Sequence, residues 1–349
     1  MNTARLNPLA ALGAGTVALL LGIAAGAGSP AHVSAKPAVP ELCERYAGLP
    51  GAGPRAGMVQ VPPGRFTMGS DRHYAEEMEP HEVTLDGFWI DRHDVTNAQF
   101  ARFVAATGYR SRAERGRADD TDPGLPPAMR VPGSAVFVFG AAGQPSRWRF
   151  VPGANWRHPE GPGSHIDDRA NHPVVHIADE DALAYARWLG RDLPTEAQWE
   201  YAARGGLDDK AYAWGDTFTP GGKAMANTWQ GPFPVSNTVE DAFAGTSPVG
   251  CFPANGWGLY DMAGNVWQWT TSWYRPGHPD TPQRNPAGPA ERDSLDPGQP
   301  GVKARVVKGG SHLCAPNYCM RYRPAARQPR EPGMGTSHLG FRTVLNQTP

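Results

Sequence analysis

The chain has 349 residues, and its 33 basic and 34 acidic side chains leave a formal charge of −1. This balance excludes a global attraction to nucleic acid or to anionic lipid. Glycine (42) and proline (36) are frequent but stay below the range of low-complexity disorder, and eleven tryptophans provide surface for a packed core. We expect one compact domain with much irregular backbone, acting as a monomer that binds no nucleic acid.

Residues 1–35 predict an export signal. Arg5 is followed by an uncharged, mostly apolar stretch from Leu9 to Gly28, and Val33-Ser34-Ala35 has the small residues that a signal peptidase accepts. Because the stretch could nearly span a bilayer, an uncleaved N-terminal membrane anchor stays open as an alternative. Either way the body of the protein would be exported, periplasmic or secreted, where disulfides persist.

Residues 36–57, rich in proline, alanine and glycine, are interpreted as a linker, and the folded domain is expected to span residues 58–346. Residues 58–66 predict two short strands around a turn, and residues 83–90 predict a further strand. Residues 111–168 show little regular period apart from an apolar run at 135–139, so they are interpreted as long surface loops.

Three helices are predicted. Thr96 and Gln99 form a capping-box pattern that starts the first helix, which ends at Gly108. The second covers about residues 179–189, and the third starts at Thr195 with another capping box and stops at two glycines. A few helices packed on short antiparallel strands give an α+β fold class.

Four cysteines are too few to serve as the framework of a chain of this size. Cys314 and Cys319 lie five residues apart in a polar, glycine-bearing segment, whereas Cys43 and Cys251 are isolated. Two thiolates close in sequence can converge on a soft ion such as Cu(I). A structural disulfide or two unrelated thiols remain alternatives, because this spacing alone is a weak signal.

The residues around this pair are more specific. Lys308-Gly-Gly-Ser-His-Leu-Cys314, Cys319 with the following Arg321-Tyr-Arg-Pro-Ala-Ala-Arg327, and His338-Leu-Gly-Phe-Arg342 closely resemble the C-terminal signature of formylglycine-generating enzymes, the sulfatase-modifying factor family. The resemblance runs from about Met58 to Val344. It implies a C-type-lectin-like fold with little regular secondary structure.

The resemblance also implies an oxidoreductase activity. The expected reaction is the copper- and oxygen-dependent conversion of a cysteine, in a Cys-x-Pro-x-Arg motif of an unfolded or nascent sulfatase, to Cα-formylglycine. By similarity, Cys314 and Cys319 bind Cu(I), the substrate cysteine adds a third thiolate, and O2 is the co-substrate. Ser311 and Tyr318 match polar residues that line the oxygen pocket, and Trp267 matches an aromatic residue packed against the copper site.

Two structural Ca2+ sites are implied in the same way, since calcium prefers carboxylate and carbonyl oxygens. The ligands of the first would be Asn227, Thr228, Asp241 and Phe243, and those of the second Asp261, Gly264, Val266 and Gln268. At the second site the carboxylate and the amide stand in the reverse of the family's order. Asx-turns in loops remain the alternative for Asn227, Asp241 and Asp261.

The sequence departs from the family pattern at several positions. Ala315 replaces a common histidine, and residues 331–336 differ beside the expected substrate groove, so the preference around the target cysteine could differ. Pro324 and Thr343 stand where some relatives carry structural cysteines. We hypothesise that Cys43 and Cys251 form a replacement bridge.

Two other functions compete with this hypothesis. One is a non-catalytic, calcium-binding lectin-like module on the same scaffold, for which paired thiols in this context have no use. The other is a different thiol oxidase of the superfamily, such as an iron-dependent sulfoxide synthase. That class usually needs an additional helical domain with a histidine cluster, and no such segment is visible in the sequence.

Overall fold

The computed structural model describes residue 43 and residues 53–119, 125–140 and 146–346. The predicted export segment or membrane anchor, and most of the predicted linker, lie outside the described residues. Within those ranges no helix has the length and apolar character needed to cross a bilayer.

The helices of the described ranges are short, and their ends agree with the predicted capping signals. The side-chain oxygen of Thr96 accepts from the Gln99 backbone amide, and Gln99 Oε1 accepts from the Thr96 backbone amide, while Gly108 ends the helix in the left-handed conformation. The three predicted helices are confirmed. The α-helices are α1 (Asn97–Thr107), α2 (Arg112–Arg115), α3 (Asp179–Trp188) and α4 (Glu196–Arg204), and single 3-10 turns cover Ala75–Glu77, Pro127–Met129, Pro220–Gly222 and Glu291–Asp293.

The strands of the described ranges form small sheets, and most pairs are antiparallel. The strands are β1 (Met58–Val61), β2 (Gly64–Met68), β3 (His81–Leu85), β4 (Phe88–Asp91), β5 (Gly133–Val138), β6 (Arg147–Pro152), β7 (Trp267–Trp273), β8 (Gln283–Arg284), β9 (Arg305–Lys308), β10 (Arg327–Arg330), β11 (Leu339–Gly340) and β12 (Val344–Asn346). Their orders are β1-β4-β12, β10-β9-β7-β11, β2-β3-β8 and β5-β6. Together with the helices they confirm the predicted α+β class.

Two predictions need correction. Residues 83–90 form two strands, β3 and β4, which belong to different sheets and are separated by Asp86 and Gly87. Residues 111–168 are not only surface loops, because they contain the β5–β6 hairpin. Strand β6 was missed because it has an arginine-rich sequence and no fully buried residue. Ala135 of β5 bridges Thr336, so the hairpin packs against the C-terminal segment.

A buried charge cluster connects β9 to α4. Lys308, the last residue of β9, is fully buried, and its Nζ donates to Glu200 Oε2 at 3.0 Å. Oε1 of the same carboxylate accepts from Arg204 at 2.8 Å and from the Gly69 amide at 2.9 Å. Burial alone would raise the pKa of Glu200, but the charges of Lys308 and Arg204 outweigh it and lower that pKa to about 2. This cluster fixes the strand from which the cysteine segment leaves.

We predict that Lys308→Met lowers the free energy of unfolding by about 3–5 kcal/mol, because it leaves the Glu200 charge buried without its main partner. Chemical denaturation measures the change. Lys210→Met is the matched control: Lys210 pairs with Asp216 in an exposed setting and should contribute less than about 1 kcal/mol. Equal losses for the two variants would contradict a structural role for the buried cluster.

Candidate active site

Two glycines allow the chain to turn out of β9 toward the cysteines. Gly309 and Gly310 both have positive φ angles, of 95° and 71°. A Cβ atom on Gly310 would lie 2.8 Å from the backbone oxygen of Arg321, so any larger residue would collide with the chain that follows Cys319. The pair therefore brings the two ends of the segment close together.

Backbone turns then bring Cys319 back to Cys314. The Cys314 amide donates to the Ser311 carbonyl at 2.9 Å. The carbonyl oxygen of Ala315 accepts from the amides of Tyr318 (3.0 Å) and Cys319 (2.9 Å), which closes one helical turn. A spacing of five residues in sequence thus becomes a direct contact between two side chains.

Cys314 and Cys319 are free thiols, and both are buried. Burial raises the pKa of Cys314 well above its ordinary value. The hydrogen bond from Cys314, together with the smaller effect of Arg321, lowers the pKa of Cys319 to about 7 despite its burial. Cys319 is therefore the more acidic of the two thiols, and the disulfide considered from the sequence is not formed.

The sulfurs lie in the main hydrophobic core cluster, together with Trp267, Trp269 and Tyr322. Trp267 is only 2% exposed, and its amide donates to the His338 carbonyl where β7 lies beside β11. The surroundings of the thiols are therefore apolar on the side of the core. Soft sulfur ligands in such a setting suit Cu(I) and disfavour hard cations.

On the other side, the thiols face a cleft of about 950 Å³. All five residues predicted for catalysis line it: Ser311, Trp267, Cys314, Tyr318 and Cys319. Ser311 is fully buried, whereas Tyr318 is 62% exposed at the rim, where its ring stacks on Phe233 with centroids 4.3 Å apart. The structure thus brings the predicted set together at one cleft, with Tyr318 at its mouth.

Other residues of the cleft were missed from the sequence. Trp148 of β6 forms part of the wall and its ring lies 4.6 Å from that of His338. Arg117, Arg330 and Glu331 also line the cleft. These residues come from segments far apart in the chain, and the missed hairpin hid the contribution of Trp148.

Arg321 is anchored beside Cys319. Its guanidinium forms an ion pair with Glu76, with Nε donating at 3.1 Å, and lies 4.0 Å from the ring centroid of Tyr74. The hydroxyl oxygen of Tyr74 accepts from the Met320 amide at 3.1 Å. The segment after Cys319 is therefore held by residues from the start of the domain.

The residues of the first predicted calcium site converge. Asp241 accepts from the amides of Thr228 (3.1 Å) and Phe243 (3.0 Å). The Asn227 amide nitrogen donates to Gly245, while its buried Oδ1 has no hydrogen-bond partner among the described residues. The Asp241 carboxylate also accepts from Gln230 Nε2 at 2.8 Å, so the unpaired Asn227 Oδ1 is the observation at this site that fits an oxygen ligand for Ca2+.

The second predicted calcium site has a different arrangement. Gln268 Oε1 accepts from Trp199 Nε1 at 2.6 Å and from Arg342 Nε at 2.7 Å. Its Nε2 donates to the Asp261 carbonyl at 2.9 Å, and the Asp261 carboxylate accepts from the Gly250 amide. Gly264 and Val266 lie between them in sequence. With both lone pairs engaged, Gln268 offers no free acceptor to a cation.

No group of three or more histidine, cysteine, aspartate or glutamate side chains converges within the part of the chain that the structure describes. A metal ion at Cys314 and Cys319 would therefore have two protein ligands of these types. That leaves room for a ligand from a bound molecule in the cleft.

The hypothesised bridge between Cys43 and Cys251 is present. Both residues are buried and pack with Phe252 in a separate apolar cluster. The bond joins residues 208 positions apart, so it ties part of the predicted linker to the domain.

We predict that alkylation of the denatured, unreduced protein labels Cys314 and Cys319 and leaves Cys43 linked to Cys251. The structure has two free thiols and one bond, and mass mapping of the digested protein reads all four positions. A peptide pair joined through Cys314 and Cys319, or four labelled cysteines, would contradict this arrangement.

Comparison with known proteins identifies relatives over nearly the whole domain. Residues 47–347 match the sulfatase-modifying factor enzyme 1-like domain family. The formylglycine-generating enzyme of Mycobacterium tuberculosis is 53% identical over 83% of this chain and 97% of its own length. PvdO from Pseudomonas aeruginosa has the same fold, with a TM-score of 0.58 at 22% identity over 86% of this chain and 100% of that chain. These matches confirm the predicted fold.

Similarity alone does not decide activity. A mouse relative named inactive Cα-formylglycine-generating enzyme 2 is 39% identical over 82% of this chain and 84% of its own length. The activity of this chain is therefore inferred from the residues of its cleft.

Proposed function

The chain belongs to the sulfatase-modifying factor family, and from this premise we propose that it converts the cysteine of a Cys-x-Pro-x-Arg segment in a sulfatase to Cα-formylglycine. Copper and dioxygen are the proposed cofactor and oxidant. The observation that carries the proposal is a pair of free, buried thiols beside a large cleft, in which Cys314 donates a hydrogen bond to Cys319.

In this proposal Cys314 and Cys319 hold Cu(I) through their sulfurs, which match its preference for soft ligands. When bound there, copper would supply the redox chemistry with dioxygen as oxidant. The chain's own residues position the reaction: Trp267 and its neighbours keep water from the core side, and Ser311 contributes a buried hydroxyl to the cleft. The near-neutral pKa of Cys319 makes one thiolate available without strong base.

The substrate is proposed to bind as an extended segment of an unfolded or nascent polypeptide. The cleft, at about 950 Å³, has room for several residues, and the exposed rings of Trp148 and Tyr318 stand on its rim. Aromatic rims bind peptides well because they bury area at little conformational cost. The target cysteine would enter between this rim and the paired thiols.

We also propose a structural calcium ion at the first site, where Asn227 Oδ1 and the Asp241 carboxylate supply oxygens. The second site is the weaker proposal, because the Gln268 oxygen is already engaged by Trp199 and Arg342. An exported location is proposed from the N-terminal sequence, and the Cys43–Cys251 bond supports it, since such bonds persist outside the cytoplasm.

The alternatives are less well supported. A non-catalytic module has a precedent in the inactive relative, but it has no use for two free thiols at the cleft. An iron-dependent oxidase of the superfamily usually has an additional helical domain with a histidine cluster, and the sequence shows no such segment.

The test is incubation of the copper-loaded protein in air with a peptide containing Cys-x-Pro-x-Arg. We predict the mass loss of thiol-to-aldehyde conversion at the cysteine, and a loss of at least about 100-fold in rate for Cys314→Ala or Cys319→Ala, since removing a metal ligand typically removes the metal-dependent rate.

The matched control removes the other cysteine pair. The double variant Cys43→Ala, Cys251→Ala also loses two sulfurs but none at the cleft, so it should convert the peptide while it is folded. An unchanged peptide with fully copper-loaded wild-type protein would refute the proposed activity.

A further inference from the structure

Of the charged residues that line the cleft, some have an ion-pair partner and one does not. Within the described part of the chain they are three arginines, Arg117, Arg321 and Arg330, and one glutamate, Glu331. Arg321 pairs with Glu76, and Arg117 donates to Glu331 at 2.9 Å. Two of the three guanidinium groups thus have a carboxylate partner within the fold.

Arg330 has none. Its side chain forms no ion pair or hydrogen bond with any residue that the structure describes, and its Nε is enclosed without a partner. Burial lowers the pKa of Arg330, and the charges of Glu331 and Asp296 do not offset that effect. Because a guanidinium stays protonated at any ordinary pH, the cleft contains a positive charge that no carboxylate of the described residues pairs with directly.

The position of Arg330 suggests what would pair with it. Arg330 is the last residue of β10, and Gln328 and Pro329 of the same strand also line the cleft. In the ladder with β9, Arg327 lies opposite Lys308 and Arg330 lies opposite Arg305. Arg330 is therefore about 10 Å along the strand from the end of β9 that leads to the cysteines.

We propose that Arg330 binds a side-chain carboxylate of the substrate polypeptide, so that this chain selects sulfatase segments with an aspartate or glutamate near the target cysteine. The inference rests on the proposed function and specifies its substrate. A guanidinium binds a carboxylate through two parallel hydrogen bonds, and partial burial strengthens the pair. Arg330 and both thiols line the same cleft, so a segment whose cysteine lies at the thiols would bring nearby residues of the segment toward Arg330.

Binding to the copper-free protein tests the inference without any turnover. The probes are fluorescent peptides in which serine replaces the target cysteine of Cys-x-Pro-x-Arg and the proline and arginine are kept, each with a single aspartate either two to six residues before the serine or at the third, fifth or sixth residue after it. Asparagine at the same position is the comparison. We expect aspartate at one position to bind about tenfold more tightly than asparagine in fluorescence anisotropy, the value of a charge-assisted hydrogen bond.

Three variants test whether Arg330 causes the tighter binding of the aspartate peptide. Arg330→Gln should abolish the preference for aspartate, and Arg330→Lys should retain part of it, because lysine keeps the charge without the planar fork. Arg149→Gln is the matched control, since Arg149 is exposed on β6 and stands outside the cleft lining. It should bind like the wild type. Circular dichroism confirms that each variant is folded.

The inference is overturned if no position distinguishes aspartate from asparagine, or if folded Arg330→Gln keeps the full preference. The corresponding cysteine peptides, given to the copper-loaded wild type, separate this result from the activity. Tighter binding of the aspartate peptide without conversion to aldehyde would leave Arg330 as a carboxylate site and reject the proposed reaction.

Discussion

The carbonyl oxygen of Ala315 accepts hydrogen bonds from the amides of both Tyr318 and Cys319, and this single turn is the constraint on which the candidate site depends. It returns Cys319 to Cys314 and orients two sulfurs toward each other. This turn is stable only if the chain before and after it is fixed in place. Lys308, buried against Glu200, holds the strand before it, and the Arg321–Glu76 pair holds the segment after it.

The chain keeps its four cysteines in two different states. Cys43 and Cys251 are bonded to each other, whereas Cys314 and Cys319 remain thiols. In an oxidising compartment a neighbouring pair of thiols is itself open to oxidation, and its fate depends on its reduction potential. A bound soft ion would protect the pair, which links the proposed copper to the survival of the site as well as to its chemistry.

The sequence predicted the parts of the fold that rest on local signals. The capping boxes at Thr96 and Thr195 and the glycines at Gly108 and Gly205 define their helices through bonds within four residues. Strand β6 was not predictable in this way: Arg147 and Arg149 stay exposed, and its pairing with β5 is decided by tertiary contacts. The division of residues 83–90 into two strands is marked locally by Asp86 and Gly87, but the pairing of β3 and β4 in different sheets depends on tertiary contacts.

The residues of the candidate site also fall into those that the sequence predicted and those that only the folded structure brings together. The five predicted catalytic residues fall near the C-terminus in sequence and came from a recognisable signature, and they line one cleft. The opposite wall, with Trp148 and Arg117, comes from residues more than a hundred positions earlier, and no local pattern reveals that contact. Gln268 was expected as a calcium ligand, yet its oxygen is engaged by Trp199 and Arg342, which only the folded chain brings near.

Anaerobic titration of the fully reduced protein with Cu(I), in competition with a chromophoric chelator, tests whether Cys314 and Cys319 form a copper site. We expect one tightly held ion for each chain, with a dissociation constant below about 1 μM, and its loss when either Cys314 or Cys319 is replaced by alanine. Wild-type protein that yields the ion to a weak chelator, or variants that hold it equally well, would rule out this copper site.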